Sequence, residues 1–232
     1  MTKLLFPASE PVTVPLRDED AAFPVTRIFC VGRNYADHAK EMGHEVDREA
    51  PFYFTKSPAH LIGSGSTIPY PPGTADFHHE MEFVVAIGAP GFRVAEADAM
   101  GLVLGYAAGL DMTRRDLQGA AKDKRRPWDT GKDFENAAVI GPITRAGEFG
   151  APGPQAISLH LNGKPVQQAQ LSDMVWSVTE LIAHLSTLYH LQPGDLIFTG
   201  TPAGVGPVSP GDVLHGEVEG LAPVTLTITA PG

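Results

Sequence analysis

Three acidic residues could together hold a divalent cation, and two of them stand at the start of one strand. Glu80 and Glu82 precede an apolar run, residues 83–87, that ends at Gly88 and predicts a buried strand. Because strand side chains alternate between faces, both carboxylates point the same way. Like charges this close repel unless something compensates them, and Mg²⁺, Mn²⁺ and Ca²⁺ prefer oxygen ligands. The alternative is an exposed strand end with two solvated glutamates, which this common pattern alone favours.

A third carboxylate follows the next small and apolar stretch of the chain. Residues 105–112 (GYAAGLDM) predict another buried strand, with Asp111 at its end. A carboxylate in such a position is costly unless it is paired or bound to a metal. Asp111 is therefore the candidate third ligand, with Mg²⁺ or Mn²⁺ as the ion and Ca²⁺ as a substitute.

A histidine and a glutamate on a short helix could act on water. Residues 35–42 (YADHAKEM) predict a helix that Gly43 ends, and the spacing of three places His38 and Glu41 on one face. Histidine with a carboxylate partner is a standard general-base pair. Taken alone, the pair is more often an incidental contact on a surface helix. The mostly polar stretch 35–51 has few apolar anchors and predicts a lid that closes over a bound ligand.

Composition limits the classes of partner. The 232 residues contain 17 basic and 27 acidic side chains, for a net charge of −10, which argues against nucleic acid because phosphate binding needs a basic face. No apolar stretch is long enough for a membrane span, and the first residues lack a signal-peptide core, so we expect a cytoplasmic protein. The single cysteine, Cys30, sits in an apolar run and predicts an inert core thiol.

The elements that must position these residues are mainly strands, with few helices. Residues 1–24 contain four prolines and predict an arm or short hairpin on the body of the protein. A helix is expected from an N-cap at Thr113 to about Lys124, with Arg115 and Gln118 on one face; residues 129–134 predict a loop or strand entry. Residues 94–104 predict a helix, and residues 177–189 predict an amphipathic helix. Residues 213–218 and 224–229 predict the last two strands. Residues 200–207 form a glycine-rich loop that lacks the ending of a phosphate loop.

Several stretches in this order resemble the fumarylacetoacetate hydrolase family across roughly residues 26–229. They are residues 30–38 (CVGRNYADH), 79–82 (HEME), 110–118 (LDMTRRDLQ), 127–128 with Lys132, 193–202 (PGDLIFTGTP) and 204–206 (GVG). Each is modest alone, but their order and spacing together are specific. The short form of the chain is similar to the acylpyruvate hydrolase branch, and residues 23–25, 41–43 and 47–49 are similar to bacterial enzymes of that branch that act on fumarylpyruvate. One departure is Lys56-Ser57-Pro58, where family members often have lysine followed directly by proline.

The resemblance implies an α+β, mainly β fold: a mixed β-roll with short peripheral helices, a catalytic domain over residues 25–232 behind the arm, and a homodimer. It also implies roles for the matching positions. The metal ligands would be Glu80, Glu82 and Asp111; the catalytic residues would be His38, Glu41 and Lys132; and the substrate-binding residues would be Arg33, Tyr35, Arg115, Gln118 and Thr201.

The activity implied is metal-dependent hydrolysis of the C–C bond of an acylpyruvate, a 2,4-dioxo acid, with fumarylpyruvate as the preferred substrate. Water activated by His38 would attack the C4 carbonyl, and Lys132 would stabilise the departing pyruvate enolate. A second hypothesis is a decarboxylase or tautomerase of oxaloacetate, which would use the same metal without an attacking water. A third is a non-catalytic β protein stabilised by metal, which leaves His38, Glu41 and Lys132 unexplained.

Overall fold

The described residues form four sheets, the largest of eight strands. The structure is a computed structural model that describes residues 4–7, 10–41 and 48–232, without the side chains of residues 39–41. Its strands are β1 (Thr13–Pro15), β2 (Ala22–Pro24), β3 (Arg27–Gly32), β4 (Phe52–Lys56), β5 (Leu61–Gly63), β6 (Ser66–Pro69), β7 (Phe77–His79), β8 (Met81–Ile87), β9 (Val103–Asp111), β10 (Thr113–Arg114), β11 (Ala138–Ile140), β12 (Thr144–Arg145), β13 (Ala156–Leu161), β14 (Lys164–Gln170), β15 (Asp195–Phe198), β16 (Gly206–Pro207), β17 (Val213–Val218) and β18 (Val224–Thr229).

The helices are short. They are α1 (Ala36–Glu41), α2 (Arg115–Asp123), α3 (Asp129–Lys132), α4 (Ala146–Phe149) and α5 (Val178–Leu188), with 3-10 turns at Pro58–His60, Glu96–Leu102 and Leu171–Asp173. In α5, Ser177 and Glu180 form the reciprocal bonds of a capping box, which satisfies the first free N–H groups of the helix. None of the helices in the described part of the chain is long and apolar enough to span a membrane.

The eight-stranded sheet carries the chemistry-bearing residues. Its order is β4-β3-β15-β8-β9-β11-β5, and β12 pairs with β9. Alternate residues of its central strands enter two separate cores: Phe83 and Val85 of β8 join the larger one, and Val84 and Ala86 join the smaller one. The sheet is therefore buried on both faces, which explains why β8 is an almost continuous apolar run.

The other sheets close the two faces. The five-stranded sheet, in the order β14-β13-β17-β18-β6, packs with α5 on the larger core, to which Leu159, Leu185 and Leu226 contribute. The β1–β2 hairpin covers the smaller core through Val14 and Phe23. The expected N-terminal hairpin is present, while its treatment as a unit separate from residues 25–232 stays a prediction.

Four local expectations need correction. Glu80 lies in the break between β7 and β8 rather than in the strand that carries Glu82. Thr113 belongs to β10, which pairs with β7, so α2 begins at Arg115 with Arg114 as its N-cap. Residues 129–132 form a helical turn instead of a loop. The expected helix over residues 94–104 is only a 3-10 turn, because residues 103–104 already pair within the large sheet. Tertiary strand pairing has overridden local propensity in these places.

Candidate active site

The three predicted metal ligands meet at the ends of β8 and β9. These strands run antiparallel, with Glu82 opposite Gly109 and Met81 opposite Leu110, and the Asp111 N–H donates to the Glu80 carbonyl over 2.9 Å. Pairing in this register brings the start of one strand beside the end of the other. Carboxylate oxygens of Glu80, Glu82 and Asp111 all lie within 4.8 Å of one another, and all three residues are buried.

Cationic side chains surround these acids. Lys132 Nζ lies 2.7 Å from both Glu80 Oε2 and Asp111 Oδ2, and Arg115 forms an ion pair with the other oxygen of Glu80. Glu82 Oε2 instead accepts a backbone hydrogen bond of 2.7 Å from the Gly200 N–H. Lys132 and Arg115, both assigned to the site from the sequence, thus contact specific carboxylate oxygens of the acids.

Burial and neighbouring charges move the pKa values of these groups in opposite directions. Burial alone would raise the pKa of Glu80, but the charges of Lys132 and Arg115 outweigh it and hold that pKa well below its usual range. The pKa of Glu82 is raised well above its usual range by burial and by the charges of Asp111 and Glu80. Burial would lower the pKa of Lys132, yet Asp111 and Glu80 more than offset this and raise it. Lys132 therefore remains an ammonium, while Glu82 is the acid that most lacks a positive partner.

The donor set suits a hard divalent cation. Lys56 Nζ lies 2.8 Å from Asp111 Oδ1, but it donates its hydrogen bonds to the carbonyls of Met112 and Lys132. Asp111 Oδ1 accepts no hydrogen bond from the described residues, although it is fully buried. A buried carboxylate oxygen with an unused acceptor site, beside a poorly compensated Glu82, is what an oxygen-preferring cation requires.

A cavity of about 190 Å³ opens onto this cluster. Of the residues proposed from sequence for this site, its lining includes Arg33, His38, Glu80, Glu82, Arg115, Gln118, Lys132 and Thr201. Aromatic side chains of Phe52, Phe54 and Trp128 form part of the wall. The cavity lining therefore combines charged and aromatic side chains, and the predicted residues come together although they are far apart in sequence.

The residues predicted for the site in the stretch 35–41 differ in whether they line the cavity. His38 is buried on α1, lines the cavity and lies close enough to Glu80 to help lower its pKa. Glu41 is the last residue of α1, and its side chain is outside the described part of the chain, as are residues 42–47 of the predicted lid. Tyr35 is buried and is not part of the cavity wall, so the structure places it beside the site rather than at its surface. Its hydroxyl has no hydrogen-bond partner among the described residues.

Helix α2 places the guanidinium of Arg115 beside the amide of Gln118, and α3 packs against α2 at this point. Arg115 Nη1 donates to Gln118 Oε1 over 2.5 Å, which leaves the amide nitrogen of Gln118 as its remaining polar group. An added Cβ on Gly131 would lie 2.7 Å from the Gln118 backbone nitrogen, so only glycine lets α3 pack this closely on α2. That contact carries the neighbouring Lys132 to the acids.

The glycine-rich loop positions Thr201 by close backbone approach. Gly200 has a φ of +98°, and an added Cβ would lie 2.7 Å from Asn34 Cβ. Gly204 has a φ of +97°, and an added Cβ would lie 2.0 Å from the Val166 carbonyl oxygen. Both positions need glycine for conformation and for space. The loop is thereby held against β14 on one side and Asn34 on the other.

Sequence reasoning missed several residues around the site. Lys56 is the last residue of the apolar strand β4. A lysine at the end of an apolar run was the available signal, since lysine is almost never fully buried without a partner. Lys122 is exposed on α2 and also lines the cavity. Gln167 lies on β14 and reaches the site from the other sheet. For Gln167 no local sequence signal existed, because its partners are distant in sequence.

The family can now be decided by comparison with known proteins. The sequence profile described as fumarylacetoacetate (FAA) hydrolase C-terminal matches residues 27–229. The chain belongs to the fumarylacetoacetate hydrolase family. The resemblance noted from the sequence is thus confirmed, and so is the α+β, mainly β fold.

The chain is similar to fumarylpyruvate hydrolases and to oxaloacetate tautomerases. The chain is 56% identical to a fumarylpyruvate hydrolase of a Ralstonia species over 190 residues, 81% of this chain and 98% of that protein. It is 38% identical to an oxaloacetate tautomerase of Escherichia coli over 207 residues, 89% and 94% of the two chains. A crystal structure of fumarylpyruvate hydrolase from Pseudomonas aeruginosa, in complex with Mn²⁺ and pyruvate, superposes with a TM-score of 0.95 at 43% identity and covers 98% of this chain and all of that one.

Proposed function

We propose that this chain is a metal-dependent hydrolase that cleaves the C–C bond of an acylpyruvate, with fumarylpyruvate as the substrate. The observation that carries the proposal is a buried triad of acids paired with cations at one end of a cavity that His38 also lines. The identity to fumarylpyruvate hydrolase supports the same chemistry. Glu80, Glu82 and Asp111 would hold the cation, with Mg²⁺ as the proposed ion and Mn²⁺ as the ion of the Pseudomonas relative.

The charges of the site favour an anionic substrate. The three acids face three cations, Lys56, Lys132 and Arg115, so a bound divalent ion gives the cluster a net charge of about +2 when all six side chains are ionised. Fumarylpyruvate is a dianion at neutral pH because it has a carboxylate at each end. The buried site therefore compensates the charge of this substrate, and an uncharged ketone would not be bound as well.

The cation, when bound, would polarise the carbonyl groups of the dioxo acid and favour enolate formation. The residues of the chain supply the other steps. We propose that His38 takes a proton from the attacking water as a bond forms between its oxygen and C4. The C3–C4 bond then breaks, its electrons remain on the pyruvate fragment as an enolate, and the proton that His38 took from water passes to C3 to complete pyruvate. Lys132, held as an ammonium by its two carboxylates, would stabilise the developing negative charge.

The aromatic side chains of the cavity lining suit the rest of the substrate. The fumaryl part of the molecule is flat and conjugated, and Phe52, Phe54 and Trp128 provide a wall of rings. Arg33 stacks over the Phe52 ring at 4.9 Å and, with Lys122, lines the same cavity. We propose that these two cations attract the far carboxylate, which acetylpyruvate lacks.

The test is a substrate panel at fixed Mg²⁺, with fumarylpyruvate, acetylpyruvate and oxaloacetate assayed for pyruvate, the partner acid and the enol-to-keto change. We expect equal amounts of fumarate and pyruvate from fumarylpyruvate, and slower cleavage of acetylpyruvate. Failure to release pyruvate from either acylpyruvate in the presence of Mg²⁺ or Mn²⁺ would refute the proposed function.

Oxaloacetate tautomerisation is the second candidate, because the relative from Escherichia coli has that function. It needs an acid and a base to move a proton between carbon and oxygen, and the same enolate stabilisation without attack by water. Faster turnover of oxaloacetate than of fumarylpyruvate, without release of a partner acid, would favour it.

Three further properties are proposed from family resemblance. The protein would act as a homodimer in the cytoplasm, and Glu41 would orient His38. Light scattering of the purified protein tests the oligomeric state, and cell fractionation tests the location. Replacement of Glu41 by glutamine tests the dyad, with a loss of turnover smaller than that from replacement of His38.

A further inference from the structure

Gln167 connects the metal-ligand segment to the loop that carries Thr201. Its Oε1 accepts a hydrogen bond of 3.0 Å from the Met81 N–H, which lies between the two glutamates of the triad. Its Nε2 donates 2.7 Å to the Pro202 carbonyl oxygen and 2.8 Å to Thr201 Oγ1. Gln167 is 1% exposed, so each of these partners is reached inside the protein.

The two backbone partners fix the orientation of the amide. A backbone N–H can only donate and a carbonyl oxygen can only accept, so Met81 must face the oxygen of Gln167 and Pro202 must face its nitrogen. The reversed amide would put a donor against a donor and an acceptor against an acceptor. The buried His79 agrees, because its Nδ1 lies 3.2 Å from the same Oε1 and must then carry a proton.

The orientation of the Gln167 amide also sets the hydrogen-bonding role of the Thr201 hydroxyl. Because Nε2 of Gln167 donates to Thr201 Oγ1, the hydroxyl acts as an acceptor in that bond and keeps its own proton for another partner. Thr201 lines the cavity, and it follows Gly200, whose N–H binds Glu82. Its hydroxyl is therefore beside the metal-binding end, where the 2-oxo acid part of the substrate would lie.

We propose that Gln167 is a positioning residue that sets the Thr201 hydroxyl as a hydrogen-bond donor to the carboxylate of a 2-oxo acid. The inference rests on the proposed function for the identity of that acid and adds a residue on the second sheet to the site. Its effect is on binding: a donor to a carboxylate that does not react stabilises the ground state and the transition state alike, which changes KM and not kcat.

A double-mutant cycle tests whether Gln167 makes the Thr201 hydroxyl a donor to the ligand. Gln167→Glu keeps the shape but presents only acceptors when ionised, so the Thr201 proton would turn towards position 167 and away from the ligand. Thr201→Val removes the hydroxyl, and Thr201→Ser retains it. The readouts are the KM for fumarylpyruvate and the dissociation constant of pyruvate for the Mn²⁺-loaded protein, measured by calorimetry.

We expect Thr201→Val and Gln167→Glu each to weaken pyruvate binding and raise KM on the order of 10- to 100-fold, the range for a hydrogen bond to a charged group. Thr201→Ser should stay close to the parent protein. In the Thr201→Val background, Gln167→Glu should add little, because the hydroxyl through which it acts is gone. Additive losses in the cycle, or unchanged pyruvate binding in either single variant, would overturn the proposal.

Controls separate positioning from damage to the fold. Gln168→Glu makes the same change at the exposed neighbouring position of β14 and should leave KM and pyruvate binding unchanged. Gln167→Met enters the same cycle if the glutamate variant does not fold. A parent protein that binds pyruvate but does not cleave fumarylpyruvate refutes the proposed function alone, whereas normal cleavage with pyruvate binding insensitive to Thr201→Val refutes this inference alone.

Discussion

Lys56 Nζ lies 2.8 Å from Asp111 Oδ1, and both side chains are completely removed from solvent. Removing one partner of such a pair leaves an uncompensated buried charge, at a cost on the order of 3–5 kcal/mol. A cation bound at the triad would supply positive charge to the same carboxylate. The pair therefore connects the stability of the protein to its metal content.

Lys56→Met should destabilise the metal-free protein by about 3–5 kcal/mol in its free energy of unfolding, and less when Mg²⁺ or Mn²⁺ is present. Urea unfolding with and without the ion measures both values. Lys164→Met, at an exposed lysine of β14, is the control and should change neither value by more than about 0.5 kcal/mol. An equal loss in both conditions would show that the bound ion does not compensate Asp111.

Glu82→Gln and Asp111→Asn should each abolish tight binding of one divalent ion and remove hydrolysis, because each deletes an anionic ligand from a set of three. Calorimetric titration with Mn²⁺ measures binding, and a chelator should inactivate the parent protein reversibly. Glu217→Gln, at an exposed position of β17, should bind the ion normally. Undiminished binding in both ligand variants would move the metal away from this cluster.

His38→Asn should lower kcat by on the order of 10²–10⁴-fold, as loss of a positioned general base does, while leaving the affinity for Mn²⁺ within about twofold. Assays of turnover and metal titration on the same preparation separate the two roles. An equal loss of metal binding would make His38 a ligand. His215→Asn replaces a histidine of β17, outside the cavity lining, and should be fully active.

Arg33→Met and Lys122→Met should each reduce kcat/KM for fumarylpyruvate by about tenfold, with little change for acetylpyruvate, because only the former has a far carboxylate. The ratio of the two specificity constants is the measurement. Lys124→Met is the matched control, since this neighbouring lysine is exposed and is not part of the cavity lining. Equal losses on both substrates would place the two cations near the shared 2-oxo acid end instead.

Cys30 should be inert in the native protein. It is completely buried, and its pKa is raised well above the usual thiol value by burial and then by the charge of Asp111, so the reactive thiolate is scarce at neutral pH. A disulfide exchange reagent should label no thiol in the folded protein and one thiol per chain in urea. Rapid labelling without denaturant would contradict the buried position.

Some residues of the site can be recognised from local sequence patterns, whereas others depend on contacts between residues far apart in the chain. Glu80, Glu82 and Asp111 could be proposed from sequence, because they stand beside the apolar runs of two strands, which are local patterns, although Glu80 lies outside the strand to which the period of two was applied. The strands Val213–Val218 and Val224–Thr229 have the expected bounds, and the helix expected over residues 177–189 spans Val178–Leu188, with Ser177 as its N-cap. Local signals of this kind depend on side chains a few residues apart and can therefore be recognised in the sequence.

The distant groups that complete the cluster around the three acids become apparent only in the tertiary structure. The break that frees Glu80 from β8 follows from the pairing of β7 with β10 and β16, which no local window contains. Lys56 and Gln167 arrive from different sheets, 55 and 56 residues from Asp111 in opposite directions along the chain. Their roles arise because burial removes water from the site, so each charge and each polar atom must find a partner within the fold. Local patterns in the sequence point to the acids and to the chemistry they could support, whereas packing decides which cations balance them and which amide contacts the hydroxyl beside them.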